Sequence, residues 1–158
     1  MKITFEPLAM KHADIALRLR KSDIREIENT ARVLCEPITP QHAVIYSINN
    51  TPNGYGYAAF NHGDLVAVFG VSLRYAKWGN IWLLGTDEIN KHPLVFYRES
   101  KRMLIKLSEE FDCLSNFVGF KNFLTLKWLL WLGFEITKAE PPFNEYFYNV
   151  SWTRPCAP

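Results

Sequence analysis

Three strand-like stretches follow one another between residues 57 and 86, and this succession constrains the fold more than any other feature of the chain. Residues 57–60 and 65–73 flank Asn61-His62-Gly63-Asp64, a four-residue turn suited to a hairpin. Trp78-Gly79 reads as a second break, ahead of a largely apolar strand over residues 80–86. An antiparallel meander in the middle of the chain, with helical segments on both sides, predicts a mixed α/β domain.

The flanking segments carry their own signals. Residues 3–6 alternate apolar and polar side chains before Pro7, as a short first strand does. Residues 14–19 read as a helical turn or two. Ser22 suits the N-cap of a new helix with Asp23 in its first turn, and Ile24, Ile27, Ala31 and Leu34 share one face of it. Glu36-Pro37 ends that helix. Thr39-Pro40 opens another, with threonine as N-cap and proline at the first helical position, running to about residue 47. Pro93 starts a long helix to about Phe111, and residues 114–118 suit a short buried strand. Residues 122–132 form a last helix stopped by Gly133. Strands over 134–137 and 146–152 close the chain, around a Glu140-Pro141-Pro142 loop. The expected order is β-α-α-β-β-β-α-β-α-β-β, one domain over residues 1–158 with a central mixed, mostly antiparallel sheet flanked by helices.

Charge and length then limit the function classes. With 18 basic and 16 acidic side chains the formal charge is +2, too small for the footprint of a dedicated nucleic-acid binder. The longest uncharged apolar runs, 65–71 and 128–134, fall far short of the roughly 20 residues that span a bilayer. The first residues lack an apolar signal-peptide core. Cys35, Cys113 and Cys156 are widely spaced and odd in number, which argues against a disulfide framework and for a cytoplasmic setting. His12, His42, His62 and His92 form no zinc-binding spacing, so no metal is expected. No serine or cysteine lies in a nucleophile elbow.

The stretch Asn122-Phe-Leu-Thr125-Leu-Lys-Trp-Leu129-Leu-Trp-Leu-Gly133-Phe134, together with the element order, resembles the acetyl-CoA-dependent N-acetyltransferase (GNAT) superfamily. There the last helix commonly carries Asn-x-x-Ala-x-x-x-Tyr-x-x-x-Gly-Phe. The Asn-to-Gly-Phe spacing matches, Thr125 is the small residue, and Leu129 stands at the tyrosine position. Three patches also resemble GNAT-like virion-assembly proteins of T7-like phages, the gene-thirteen group. They are Ser22-Asp23-Ile24-Arg25-Glu26-Ile27, residues 81–87 (Ile-Trp-Leu-Leu-Gly-Thr-Asp) and residues 114–118 (Leu-Ser-Asn-Phe-Val). That likeness implies a bacteriophage origin, the host cytoplasm, and a virion or other protein partner.

The resemblance implies acetyl-CoA as cofactor and locates its site. Members bind the pyrophosphate with Arg/Gln-x-x-Gly-x-Gly/Ala between the fourth strand and the third helix. Here that region, residues 87–94, contains no glycine. Side chains occupy space that a diphosphate approaching the backbone needs, and Asp87 and Glu88 repel a dianion. The candidate cofactor-binding residues are Leu84, Gly85, Asn90, Lys91, His92, Pro93, Leu94, Asn122 and Trp128. Asp87 and Glu88 are the candidate catalytic bases. Leu129 cannot donate a proton to a departing thiolate. Two readings follow: a catalytically degenerate GNAT-like protein acting in virion assembly or another protein interaction, and, behind it, an active N-acetyltransferase. On the first, the cleft between the fourth and fifth strands is narrowed, with Trp128 or Phe120 filling it and no convergent set of amides facing it. The last helix is apolar nearly all round, which argues burial on more than one side; a partner surface is the competing explanation.

Overall fold

A computed structural model describes residues 2–155. Seven strands form one sheet in the order β1-β2-β3-β4-β5-β7-β6. They are β1 (Ile3–Pro7), β2 (Gly56–Asn61), β3 (Asp64–Tyr75), β4 (Trp78–Gly85), β5 (Cys113–Gly119), β6 (Glu135–Lys138) and β7 (Phe147–Thr153). Every neighbouring pair is antiparallel except β4 and β5. The expected order of strands and main helices is the observed one, with a one-turn helix added before the long one.

Local chemistry accounts for several boundaries. The β2–β3 hairpin turns on His62 and Gly63, both at positive φ (49° and 85°), as a two-residue turn matched to strand twist requires. Helix α2 (Pro40–Asn49) begins as expected: Thr39 accepts a hydrogen bond from the His42 N–H at 3.2 Å, and Pro40 fills the first position. Gly133, at φ 92°, ends the last helix, α5 (Phe123–Trp131).

Other boundaries are corrected by long-range contacts. Trp78-Gly79 is no break: both residues lie in β4, paired to β3 and β5, and the turn falls on Ala76, at φ 46°. Helix α1 (Lys21–Leu34) is not capped by Ser22; Arg20 holds the N-cap position without a side-chain cap bond. Residues Met10–Arg18 form a 3-10 helix rather than one or two α turns from Asp14. The short helix α3 (Glu88–Lys91) precedes α4 (Pro93–Leu107), which stops before Phe111, where a 3-10 turn over Ser108–Glu110 takes over.

Alternation along β4 divides the core between two sheet faces. Trp82 and Leu84 join Ile15, Ile27, Val44 and Val68 under the 3-10 helix, α1 and α2. Leu83 points the other way, toward Ala67, Ile89 and Phe96 beneath α3 and α4. The apolar body of α4 and α5 covers β5 and β7 through Leu104, Leu107, Phe111, Leu114, Leu126 and Val150. Cys35 and Cys113 are free thiols; Cys156 lies outside the described residues. Among the described residues no helix is long and apolar enough to cross a membrane, and no group of three or more metal-ligating side chains occurs.

Candidate functional site

The two parallel strands β4 and β5 pair over only three residues, Trp78↔Cys113, Gly79↔Leu114 and Asn80↔Ser115. Beyond them the Asn116 side-chain amide donates to the Ile81 carbonyl at 2.7 Å, a side chain taking the place of the next ladder bond. From there the strands part, and their freed backbone groups must find partners elsewhere.

Helix α1 supplies those partners. Asp23 and Glu26 stand three residues apart, so both carboxylates leave one face of the helix. Asp23 Oδ2 accepts the Gly85 N–H at the end of β4, at 2.8 Å. Glu26 Oε1 accepts the Gly119 N–H at the end of β5, also at 2.8 Å, and the Asn122 side-chain amide at 2.9 Å. Each lip of the split is thus tied to α1 by a carboxylate.

Arg20 lies between the lips. Its side chain is 5% exposed and that of its ion-pair partner Asp23 is 2% exposed, with Nε 3.0 Å from Asp23 Oδ2. The guanidinium also donates to Asn90 Oδ1 at 3.2 Å and to Thr125 Oγ1 at 3.3 Å, linking α3 and α5. Its backbone N–H donates to the Gly85 carbonyl at 2.9 Å. What remains is a cavity of about 120 Å³, lined among others by Arg20, Asp23, Glu26, Thr125, Trp82, Asn116, Trp128 and Leu129.

Burial pushes the Asp23 carboxyl up, against the pull of the Arg20 guanidinium and the Gly85 N–H. Burial likewise pushes Glu26 up, opposed by the hydrogen bonds from Asn122 and Gly119. A carboxyl with a raised folded-state pKa binds protons more tightly in the native protein than in the unfolded chain. Its contribution is therefore greatest below the unfolded value of about 4.5 and is lost as pH rises through the folded value. Glu26→Gln keeps an oxygen acceptor for Gly119 and Asn122 while removing the titration. Urea unfolding from pH 4 upward is expected to show the variant losing less stability with rising pH than the wild type, and equalling or exceeding it at pH 7.

The sequence-derived candidates divide into two groups. Gly85, Asn122, Trp128 and, through Arg20, Asn90 converge on the split. Asn122 is 6% exposed, but its amide is bound to Glu26 rather than offered to the cavity. Leu84 packs beneath α1 and α2 beside Trp82 and does not line the cavity. Asp87, Lys91, His92, Pro93 and Leu94 are exposed on the surface, with Leu94 at 75%. Glu88 pairs with Lys91, whose hydrogen bond holds the Glu88 carboxyl below its usual value and makes it a weaker base. The loop amides turn inward: Thr86 N–H donates to Val66, Ile89 to Thr86 and Asn90 to Asp87. Phe120 packs against Tyr148, with ring centroids 4.6 Å apart, and does not line the cavity; Trp128 does.

Sequence reasoning missed Arg20, Asp23 and Glu26 as site residues. Their signal was present: charged side chains at i, i+3 and i+6 around the core-facing Ile27. The favourable first-turn charge expected of Asp23 is instead a buried ligand of the β4 terminus.

No protein-family model and no curated protein matches the sequence. Solved structures do match. One is Ard1 from Thermoplasma volcanium, at 14% identity and TM-score 0.65, covering 97% of this chain and 98% of the other. A second is aminoglycoside acetyltransferase AAC(6')-Ib in complex with paromomycin and acetyl-CoA, at 16% identity and TM-score 0.64, covering 98% and 94%. A third is the GNAT domain of S. lividans PAT, at 12% identity and TM-score 0.63, covering 95% and 89%. The chain therefore has the GNAT fold, a single α/β domain with a seven-stranded mixed sheet flanked by helices.

Proposed function

We propose that this chain is a catalytically silent GNAT-fold protein that works through protein contacts, in keeping with the phage virion-assembly role that its sequence resemblance implies. The observation carrying this reading is the pair of carboxylates, Asp23 and Glu26, bound to the amides that end β4 and β5. An acyl-CoA arm entering the split would compete with these carboxylates for the Gly85 and Gly119 N–H groups and with the Arg20 backbone N–H for the Gly85 carbonyl. Several other features support the reading. The loop over residues 87–92 offers no glycine, and its Ile89 and Asn90 amides are already bonded to the Thr86 and Asp87 carbonyls. Two acidic side chains sit where a pyrophosphate would approach, and Leu129 stands where a proton donor is wanted. The residues present do not fit acetyl-CoA.

The competing reading, an N-acetyltransferase, has one observation in its favour. A cavity of about 200 Å³ opens beside Pro93 at the start of α4, with Lys127 on its wall, a setting that suits an anion. Thermal unfolding with and without acetyl-CoA, with ADP as control, separates the two. A ligand at a hundred times its Kd adds about 2.7 kcal/mol, which for this size raises Tm by roughly 5–10 °C. No shift at millimolar acetyl-CoA is the expected result. A rise specific to acetyl-CoA overturns the proposal.

A further inference from the structure

Helix α5 was expected to be buried on more than one side, and it is not: within Phe123–Trp131 only Leu126 is buried. Phe123 is 72% exposed, Leu124 61%, Leu130 54% and Trp131 49%. The surface continues onto α4, where the Tyr97 ring stands edge-on to Trp131 at 5.7 Å and Leu94, one turn earlier, is exposed. Between the two helices lies the 200 Å³ groove, walled by Pro93, Phe96, Leu124, Trp128 and Trp131. A contiguous apolar surface with a groove in it marks an interaction site rather than scattered exposed side chains.

From this surface we infer that the α4–α5 face docks an amphipathic helical segment of a partner protein, with large apolar anchors and acidic flanks. The inference rests on the reading of the protein as an interaction domain and names its surface. Charge selects the occupant. Lys127 sits in the middle of the exposed face, its ammonium 5.0 Å from the centre of the Trp131 ring. Among the described residues it has no carboxylate within ion-pair distance, and neither do Lys101 on α4 and Lys121 just ahead of α5. The acidic groups of α3 and α4, Glu88 and Glu99, are already engaged with Lys91, Arg98 and Arg102. A second copy of the chain is the poorer occupant, because a two-fold contact would set this basic face against itself. Apolar side chains spaced one turn apart on a helix fill such a groove, and flanking carboxylates meet the lysines.

Fluorescence anisotropy with labelled synthetic helices of about 18 residues, roughly five turns, tests this. One peptide carries leucine and tryptophan along one face with glutamates beside them; a second keeps the apolar residues and replaces every glutamate by lysine. Expected are saturable binding of the acidic peptide, at least about tenfold weaker binding of the basic one, and about tenfold loss for Leu124→Asp and Lys127→Glu. Lys127→Glu also narrows the preference between the two peptides. Both substitutions are at exposed positions, and an unchanged Tm verifies that the variants fold. Equal binding of the two peptides, no saturable binding, displacement by micromolar acetyl-CoA, or a dimer in sedimentation whose dissociation is needed for binding each overturns the inference. If neither the acidic peptide nor acetyl-CoA binds, this inference fails while the silent-domain reading stands. If acetyl-CoA stabilises the protein, that reading fails on its own.

Discussion

Asp23→Ala is expected to destabilise the protein by about 3–5 kcal/mol, because it strands the Arg20 guanidinium in the core and leaves the Gly85 N–H without its acceptor. In a domain of this size each kcal/mol lowers Tm by roughly 2–4 °C, so the loss is measurable by urea or heat. Arg20→Ala is expected to cost a similar amount, since it leaves the Asp23 charge buried without a counter-ion. The paired replacement Arg20→Met with Asp23→Leu removes both charges and is expected to recover most of the loss, the usual outcome when a buried pair is exchanged for apolar volume. The three measurements also bear on function. If Asp23→Ala costs under about 1 kcal/mol, the pair is solvated, the split between β4 and β5 is open to water, and the case for a self-filled cleft collapses.

Phe111→Ala is expected to cost about 3–5 kcal/mol through lost burial and the cavity left behind. Phe111 is 1% exposed, its ring meets Tyr55 edge-on at 5.5 Å, and it closes the core beneath α4 where β5 begins. It also explains why Gly79 lies opposite it in β4. A Cβ there would meet Val71 Cγ1 at 2.2 Å and Phe111 Cε1 at 3.0 Å, so the Val71 methyl and the ring together take the space of a side chain. The consequence reaches the site, because Gly79 is the middle of the three residues by which β4 holds β5 before the strands part. Chemical denaturation measures the loss. A cost below about 1 kcal/mol would mean the neighbours collapse into the space, and would remove Phe111 as the anchor of that junction.

What was legible in the sequence is what a few neighbouring residues decide among themselves. The hairpin at His62-Gly63, the Thr39-Pro40 start of α2 and the Gly133 stop of α5 depend on turn geometry and capping within one or two turns. The meander and the late helix follow from hydrophobic spacing, and with them the order of strands and main helices. Asn122 and Trp128 are placed near the cleft only through the resemblance of the last helix to its family pattern, and both line the cavity. The rest depended on partners far along the chain. Trp78-Gly79 reads as a break locally, yet pairing to Tyr75, Leu73, Cys113 and Leu114 makes it strand. Asp23 looks like a favourable charge at a helix start, and only the approach of Gly85, 62 residues away, makes it an internal acceptor. Arg20 reaches Asn90 and Thr125, separated from it by 70 and 105 residues. The apolar circumference of α5 is plain in the sequence, but which side meets the core is set by where β5 and β7 lie beneath it. Sequence alone therefore determined the elements and their order, through short-range backbone and periodicity effects. Tertiary structure decided the contents of the cleft, where two strands part and side chains from a distant helix bind the amides that end them, and the face left bare, which is the side of α5 turned away from β5 and β7.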